Sequence, residues 1–298
     1  MARKVARWVP ILAVAGILVA SLTVAAEKKP ALSTTLKMFQ GVYETGQVVR
    51  GELTLLNPSE SWVDVSDISN PARDLRLVTE DGKTIEPRKP SRFGGAKTKA
   101  IGPGGFVGLT FDAGLLFPEL TKPGRYTLRF EKAGFQTRQV PFTMLPAFSA
   151  RKKYKLLLTT PAGKIAIRLD PGAAPVAVHN IVNLARTGFY DGAVIPKIEK
   201  GVALKIRGPV ERKHWISPVE TTKTPLLAGT VLVEPSGPGR SPHNLPNLLI
   251  LLGPKPDWQS AATAIGQVVA GTETLQRLSS AGSRPGPKIT SATVEEVK

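Results

Sequence analysis

Between Ala31 and Leu145 the hydrophobic positions alternate, or cluster in short β-branched runs, between turn residues, and no stretch repeats at the helical spacing of three and four. This pattern predicts strands over Gln47–Leu56, Trp62–Val65, Leu75–Thr79, Phe106–Phe111, Tyr126–Phe130 and Thr137–Met144. Asp81-Gly82 predicts a tight hairpin between Leu75–Thr79 and Thr84–Glu86, and Pro123-Gly124 a turn ahead of Arg125-Tyr126. The run Gly102-Pro-Gly-Gly-Phe-Val-Gly108 looks like a phosphate loop, but a strand follows it where an anion would need a helix N-terminus, so it reads as a turn. Strands at this spacing point to an immunoglobulin-like β-sandwich over residues 27–149.

The pattern changes after Pro146–Arg151, which reads as an exposed joint. Tyr154–Thr159 and Lys164–Leu169 alternate as two strands around the loop Thr160-Pro-Ala-Gly163. Ala174-Pro175 then opens a helix in which Val178, Ile181, Val182 and Ala185 form one apolar stripe, while His179, Asn183 and Arg186 point elsewhere. Gly188 ends it. Thr272–Leu278 reads as a second short helix with Thr272 as N-cap and Leu275 and Leu278 inward, and Ile289–Val297 as a closing strand. The chain is therefore expected to be mostly β, in two domains, 27–149 and 150–298.

Composition supports this division, because 298 residues of which 42% are hydrophobic can build two cores. The absence of cysteine excludes disulfides, thiolate zinc sites, iron-sulfur clusters and cysteine nucleophiles. Three histidines, at 179, 214 and 243, leave little for metal chemistry, and no metal or cofactor is expected. Without a G-x-S-x-G elbow, an H-E-x-x-H pair or a close acidic pair, hydrolase classes lack support.

The net charge of +17 sits mostly in the second domain, with +4 over residues 27–149 and +10 over 150–298. Apart from Arg151-Lys152-Lys153-Tyr154-Lys155 it is scattered, with no aromatic-interleaved basic stripe. That distribution argues against nucleic acid and for a solvated basic surface near anionic envelope polymers or lipids. Met1–Ala26 carries three basic residues, the apolar run Trp8–Val24, and Val24-Ala25-Ala26 before Glu27-Lys28-Lys29, the form of a secretory signal. Export to the periplasm or beyond is expected, with the mature chain starting at Glu27 and an uncleaved membrane anchor as the alternative.

Six pieces of the second domain, in order, resemble the cyclophilin-type peptidyl-prolyl cis-trans isomerases. Thr159–Leu169 is similar to the family's opening hairpin, Ala174-Pro175 to Leu184 to its first helix with the "AP..V.N...L" pattern, and Gly188-Phe-Tyr-Asp-Gly192 to its "GFYDG" turn. Gly229 and Gly237-Pro238 fit the strand and loop before its "QFFI" segment, here Asn247-Leu-Leu-Ile250. Ile265-Gly266-Gln-Val-Val-Ala-Gly271 fits its "FGKVVEG" close. The resemblance covers roughly residues 154–297 and implies an eight-stranded closed antiparallel barrel with a short helix capping each end.

The family's chemistry transfers less readily. Isomerisation crosses a barrier of about 20 kcal/mol set by conjugation of the proline nitrogen with the carbonyl. In the family an arginine weakens that conjugation, while phenylalanines, a glutamine and a histidine hold the proline and its backbone. Its motif "FHRVIPGF..Q" falls here on Ile195-Pro-Lys-Ile-Glu-Lys-Gly-Val-Ala-Leu-Lys205, which puts Lys197 at the arginine position, a point charge without the planar fork. Val202 and Leu249 replace the pocket phenylalanines, Lys205 the glutamine, and Asn247 and Leu248 begin the "QF" positions. Glu234-Pro235 stands where the family has an "AN" pair that bonds the peptide backbone, and Ala262 stands at the histidine position. Trp258 matches the family's groove tryptophan.

A groove lined by Val202, Lys205, Asn247, Leu248, Leu249 and Trp258, with Lys197 beside it, is thus the candidate site for a proline-containing peptide or exported protein. Three functions stay open on sequence alone: a degenerate cyclophilin-like binding module, a slow isomerase that assists folding, and a structural envelope protein held by its basic surface.

Overall fold

The computed structural model describes residues 32–66, 71–88, 99–132, 135, 138–196, 202–208, 217–221, 223–235, 243–259, 261–280 and 286–297. The leader Met1–Ala26, Lys197 and His214 lie outside the described residues.

The first half comprises β1 (Ser33–Met38), β2 (Val42–Glu44), β3 (Arg50–Leu56), β4 (Val63–Asp64), β5 (Leu75–Thr79), β6 (Thr84–Ile85), β7 (Ala100–Ile101), β8 (Phe106–Asp112), the single-turn helix α1 (Ala113–Leu116), β9 (Gly124–Phe130) and β10 (Arg138–Leu145). Strands β1, β3 and β8 form one sheet, β2, β10, β9, β5 and β6 a second, and β4 and β7 a small ribbon. Leu53, Leu55 and Phe111 from the first sheet and Leu77, Leu128, Phe130 and Met144 from the second meet in one buried cluster. Alternation with a period of two puts these side chains on one face of each sheet, so both sheets bury that face against the other.

The pattern missed β1 and β2 because polar residues take inward positions there: Thr34 is fully buried and Glu44 is 8% exposed. It also missed α1, whose first turn is closed by the Asp112 carboxylate accepting from the Gly114 amide at 2.9 Å.

The second half runs through β11 (Lys153–Thr160), β12 (Gly163–Leu169), α2 (Pro175–Arg186), β13 (Ala203–Ile206), β14 (Ser217–Pro218), β15 (Thr230–Pro235), β16 (His243–Leu251), β17 (Thr263–Ala270), α3 (Thr272–Ser280) and β18 (Ser291–Val297). These strands form one eight-stranded sheet in the order β13, β16, β15, β17, β12, β11, β18, with β14 also paired to β16. Val194 bridges Arg207 after β13 and Lys288 before β18, which joins the two ends of the sheet. Leu156, Ile167, Leu204, Val231, Leu248, Ile250 and Ile265 fill the interior, and Val178 and Ile181 of α2 and Leu275 and Leu278 of α3 join them. One sequence reading shifts: Thr272 lies inside α3, not at its N-cap.

Close approaches fix two glycines. A β-carbon on Gly266 would lie 2.2 Å from the Arg168 carbonyl oxygen, and one on Gly208 would lie 2.1 Å from the Phe189 ring. Helix α2 starts without a side-chain cap of its own; the Glu220 carboxylate reaches across to accept from the Val176 and Ala177 amides at 3.1 and 2.8 Å.

Along the joint between the halves Ala147, Ala150 and Arg151 are exposed, while other joint residues make fixed contacts. Phe148 packs against the barrel core and stacks on Tyr154 and His179, with centroids 5.2 and 4.6 Å apart. Arg186 donates to the Pro146 carbonyl at 2.9 Å. Glu44 of β2 accepts from the Phe148 amide at 3.0 Å, from the Asn183 amide group at 2.7 Å and from His179, so α2 and the first half share a buried carboxylate.

Candidate functional site

Because side chains alternate along a strand, the barrel strands that bury Leu204, Val231, Leu248 and Ile250 inside must display their neighbours outside. The register sets Lys205 opposite Leu249, Leu249 opposite Leu232, and Leu232 opposite Ala264, one continuous row across four strands on the outer face. Around this row a separate apolar cluster forms from Leu226, Leu232, Leu251, Ala262 and Ala264, with Ala203, Leu249 and Trp258 partly buried against it. Leu226 comes from the loop before β15 and is only 3% exposed, so the chain itself fills the inner part of the outer-face hollow.

That loop is held in place. The Leu226 carbonyl accepts from the Lys255 amide and the Thr224 carbonyl from the Gln259 side chain, both at 2.8 Å. Trp258 sits on the facing turn with the Lys255 ammonium 5.8 Å from its ring centre. Val202, whose carbonyl accepts from the Leu252 amide at 3.0 Å, is half-buried and is not among the residues packed on this cluster. The half-exposed lip that a visitor could touch is therefore Ala203, Leu249 and Trp258.

Leu248 is not part of it. It is fully buried in the barrel interior with Ile250, on the opposite face of β16 from Leu249. Truncation there removes packed core atoms, so Leu248→Ala is expected to destabilise the barrel by about 2–5 kcal/mol. Peptide affinity of the folded variant should be unchanged; a stable Leu248→Ala protein that lost peptide binding would return Leu248 to the groove.

At one end of the lip the polar positions satisfy each other. The Lys205 ammonium pairs with one oxygen of the Glu234 carboxylate, and the Asn247 amide group donates to the other at 2.7 Å. The Asn247 side-chain oxygen in turn accepts from the Gly208 amide at 3.1 Å. Lys205 and Glu234 are only 26% and 21% exposed, so the pair is partly shielded from water and costly to break from one side. Sequence comparison set these three residues at separate family positions; the strand register makes them one closed set.

The "GFYDG" turn is structural. Tyr190 is fully buried and donates its hydroxyl to the Pro246 carbonyl at 2.8 Å, and burial pushes its phenol pKa far up. Asp191 accepts from the Ala292 amide at 2.8 Å, sewing the turn to β18. Ala262, at the family's histidine position, is buried in the outer apolar cluster. Neither Leu226 nor the Glu220 cap on α2 is visible in the sequence pattern, since both depend on loops whose course no periodicity encodes.

The sequence model described as "Cyclophilin type peptidyl-prolyl cis-trans isomerase/CLD" matches residues 155–297. Among curated relatives, peptidyl-prolyl cis-trans isomerase A of Dickeya dadantii is 43% identical over 56 residues, 19% of this chain and 30% of that protein. A peptidyl-prolyl cis-trans isomerase-like 2 of Cryptococcus neoformans is 26% identical over 147 residues, 46% of this chain and 25% of that protein. The matches thus span less than a third of either relative. Among solved structures, a cyclophilin type isomerase of Cryptosporidium parvum superposes with a TM-score of 0.44 at 17% identity, covering 49% of this chain and 99% of that one. A cyclophilin from Hirschia baltica gives a TM-score of 0.38 at 14% identity, covering 47% of this chain and 76% of that one. With the family match running from β11 to the end of β18, the C-terminal half of this chain belongs to the cyclophilin-type peptidyl-prolyl cis-trans isomerase family.

Proposed function

We propose that this chain is an exported cyclophilin-like protein whose barrel holds proline-containing segments of other exported proteins without efficient turnover. One observation carries the reading: Lys205, Glu234 and Asn247, at positions where the family grips a peptide backbone, are bound to one another, with one partner on each oxygen of the Glu234 carboxylate. A peptide arriving there meets side chains already held in this set, and drawing one of them away would strand a partly buried charge. The lip of Ala203, Leu249 and Trp258 keeps apolar surface for a proline ring. Burying ring carbons gains about 25 cal/mol per Å² before ordering costs are subtracted, so weak affinity outlasts catalysis.

Titration with a neutral proline-containing peptide tests this. The Trp258-dependent emission, taken as the difference between the chain and its Trp258→Phe variant, is expected to shift on binding. Trp258→Ala is expected to weaken affinity by about tenfold to a hundredfold if the ring is an anchor. A folded Trp258→Ala protein with unchanged affinity would remove this lip from consideration.

A further inference from the structure

A second cleft, of about 530 Å³, opens where the joint between the halves meets the barrel, between the start of β11 and the end of β12. Arg151, Lys152 and Lys153 form one wall and Arg168 the other, and Asp170 is the acidic residue among them. The wall is built rigidly: the Lys152 amide donates to the Ser149 carbonyl at 3.0 Å, and the Ser149 amide to the Tyr154 hydroxyl at 3.0 Å. Arg168 stands on β12 opposite Lys155 of β11 and Gln267 of β17.

Lys152 is paired with Glu296 at 2.7 Å. Among the described residues Arg151, Lys153 and Arg168 have no carboxylate partner, and all three are exposed. Arg151 lies in the turn before β11, Lys153 on β11 and Arg168 on β12, and because all three line one cleft their like charges favour an anion that enters it. We propose that this cleft binds an acidic polypeptide segment, a function separate from the proline lip.

Asp170 decides between polyanions. One of its oxygens caps the turn by accepting from the Gly172 and Ala173 amides at 3.1 and 3.2 Å, while the other has no donor among the described residues. A polypeptide brings backbone N–H groups that this oxygen can accept, and its carboxylates are spaced by neutral atoms. A polyphosphate brings dense charge and no donor, and meets Asp170 as pure repulsion. The two arginine forks suit carboxylates bidentately, and the cleft is large enough for several side chains.

The test is fluorescence anisotropy with a labelled peptide of alternating glutamate and serine, which lacks proline and so leaves the lip unprobed. The full chain should bind it, with affinity falling as salt rises, and should bind the glutamine-serine counterpart at least about tenfold more weakly. The triple variant Arg151→Gln, Lys153→Gln, Arg168→Gln, all at exposed positions, should lose the difference while keeping its melting temperature and its binding of the neutral proline peptide. Equal binding of the two peptides, or an unaltered triple variant, overturns the proposal. So does inorganic polyphosphate that displaces the acidic peptide at lower charge concentration through the same three residues. Failure of the neutral proline peptide alone strikes the proline lip and leaves this cleft standing.

Discussion

In a protease-coupled assay on a proline-containing peptide, the full chain is expected to accelerate cis-trans exchange to no more than about a hundredth of the rate of a family member that keeps its arginine. Removing one well-placed donor from a preorganised site costs about a hundredfold or more in rate. On the reading proposed above, the family resemblance puts Lys197 at the arginine position and Ala262 at the histidine position. The glutamine and backbone-binding positions carry Lys205 and Glu234, which pair with each other. These losses fall on groups that act in the transition state, so they should lower turnover more than binding. Lys197→Ala should leave the residual rate unchanged. Lys197→Arg should not restore it, because Lys205, Glu234 and Asn247 remain tied to one another. Family-level turnover that vanished in Lys197→Ala would make Lys197 catalytic and replace the binding-module reading with that of a working isomerase.

What could be read from the sequence follows from which interactions are local. The hairpin of β11 and β12 and the helix α2 were legible because Leu156, Ile167, Val178 and Ile181 face one core with regular periods. Leu75–Thr79 was legible to the residue because Asp81-Gly82 closes its hairpin. Sites made by pairing distant strands were not. Nothing in the local pattern joins Lys205 to Glu234, and only the common partner β16 sets them side by side. The same limit misplaced Leu248: family alignment put it at a groove position, whereas the alternation of β16 turns it inward and Leu249 outward. The helical pattern turns His179 away from the apolar stripe and names no partner for it, because Glu44 lies 135 residues away, in a strand whose inward polar residues break the alternation.

That pairing sets the second large expectation, for Glu44→Ala. Glu44 is 8% exposed and its carboxylate accepts from Asn183, from the Phe148 amide and from His179. Hydrogen bonds to a charged group contribute about 1.5–3 kcal/mol each, and their loss would also leave the Asn183 amide group and the Phe148 amide without partners in a buried seam. Asn183 is already under-satisfied, since its side-chain oxygen is buried without a hydrogen-bond partner among the described residues. Glu44→Ala is therefore expected to destabilise the contact between the halves by about 3 kcal/mol or more. It should read out in urea unfolding as a lower midpoint and as separation of the transitions of residues 27–149 and 150–298. The dependence on acidity follows from the same contacts. Burial works to raise the Glu44 pKa, but the hydrogen bonds from Asn183, Phe148 and His179 outweigh it and hold the group below its ordinary value of 4.5. A carboxylate depressed in the folded state contributes its stabilisation above the unfolded value and loses it as pH falls through the folded one. The unaltered chain should therefore lose inter-half stability as pH drops below about 4.5, while Glu44→Gln, which cannot titrate, should be weaker at neutral pH and flatter in that window. Parallel acid profiles for the two proteins, or a Glu44→Ala chain that unfolds at the unaltered midpoint, would show that the halves are tethered by the joint alone and that the carboxylate does not couple them.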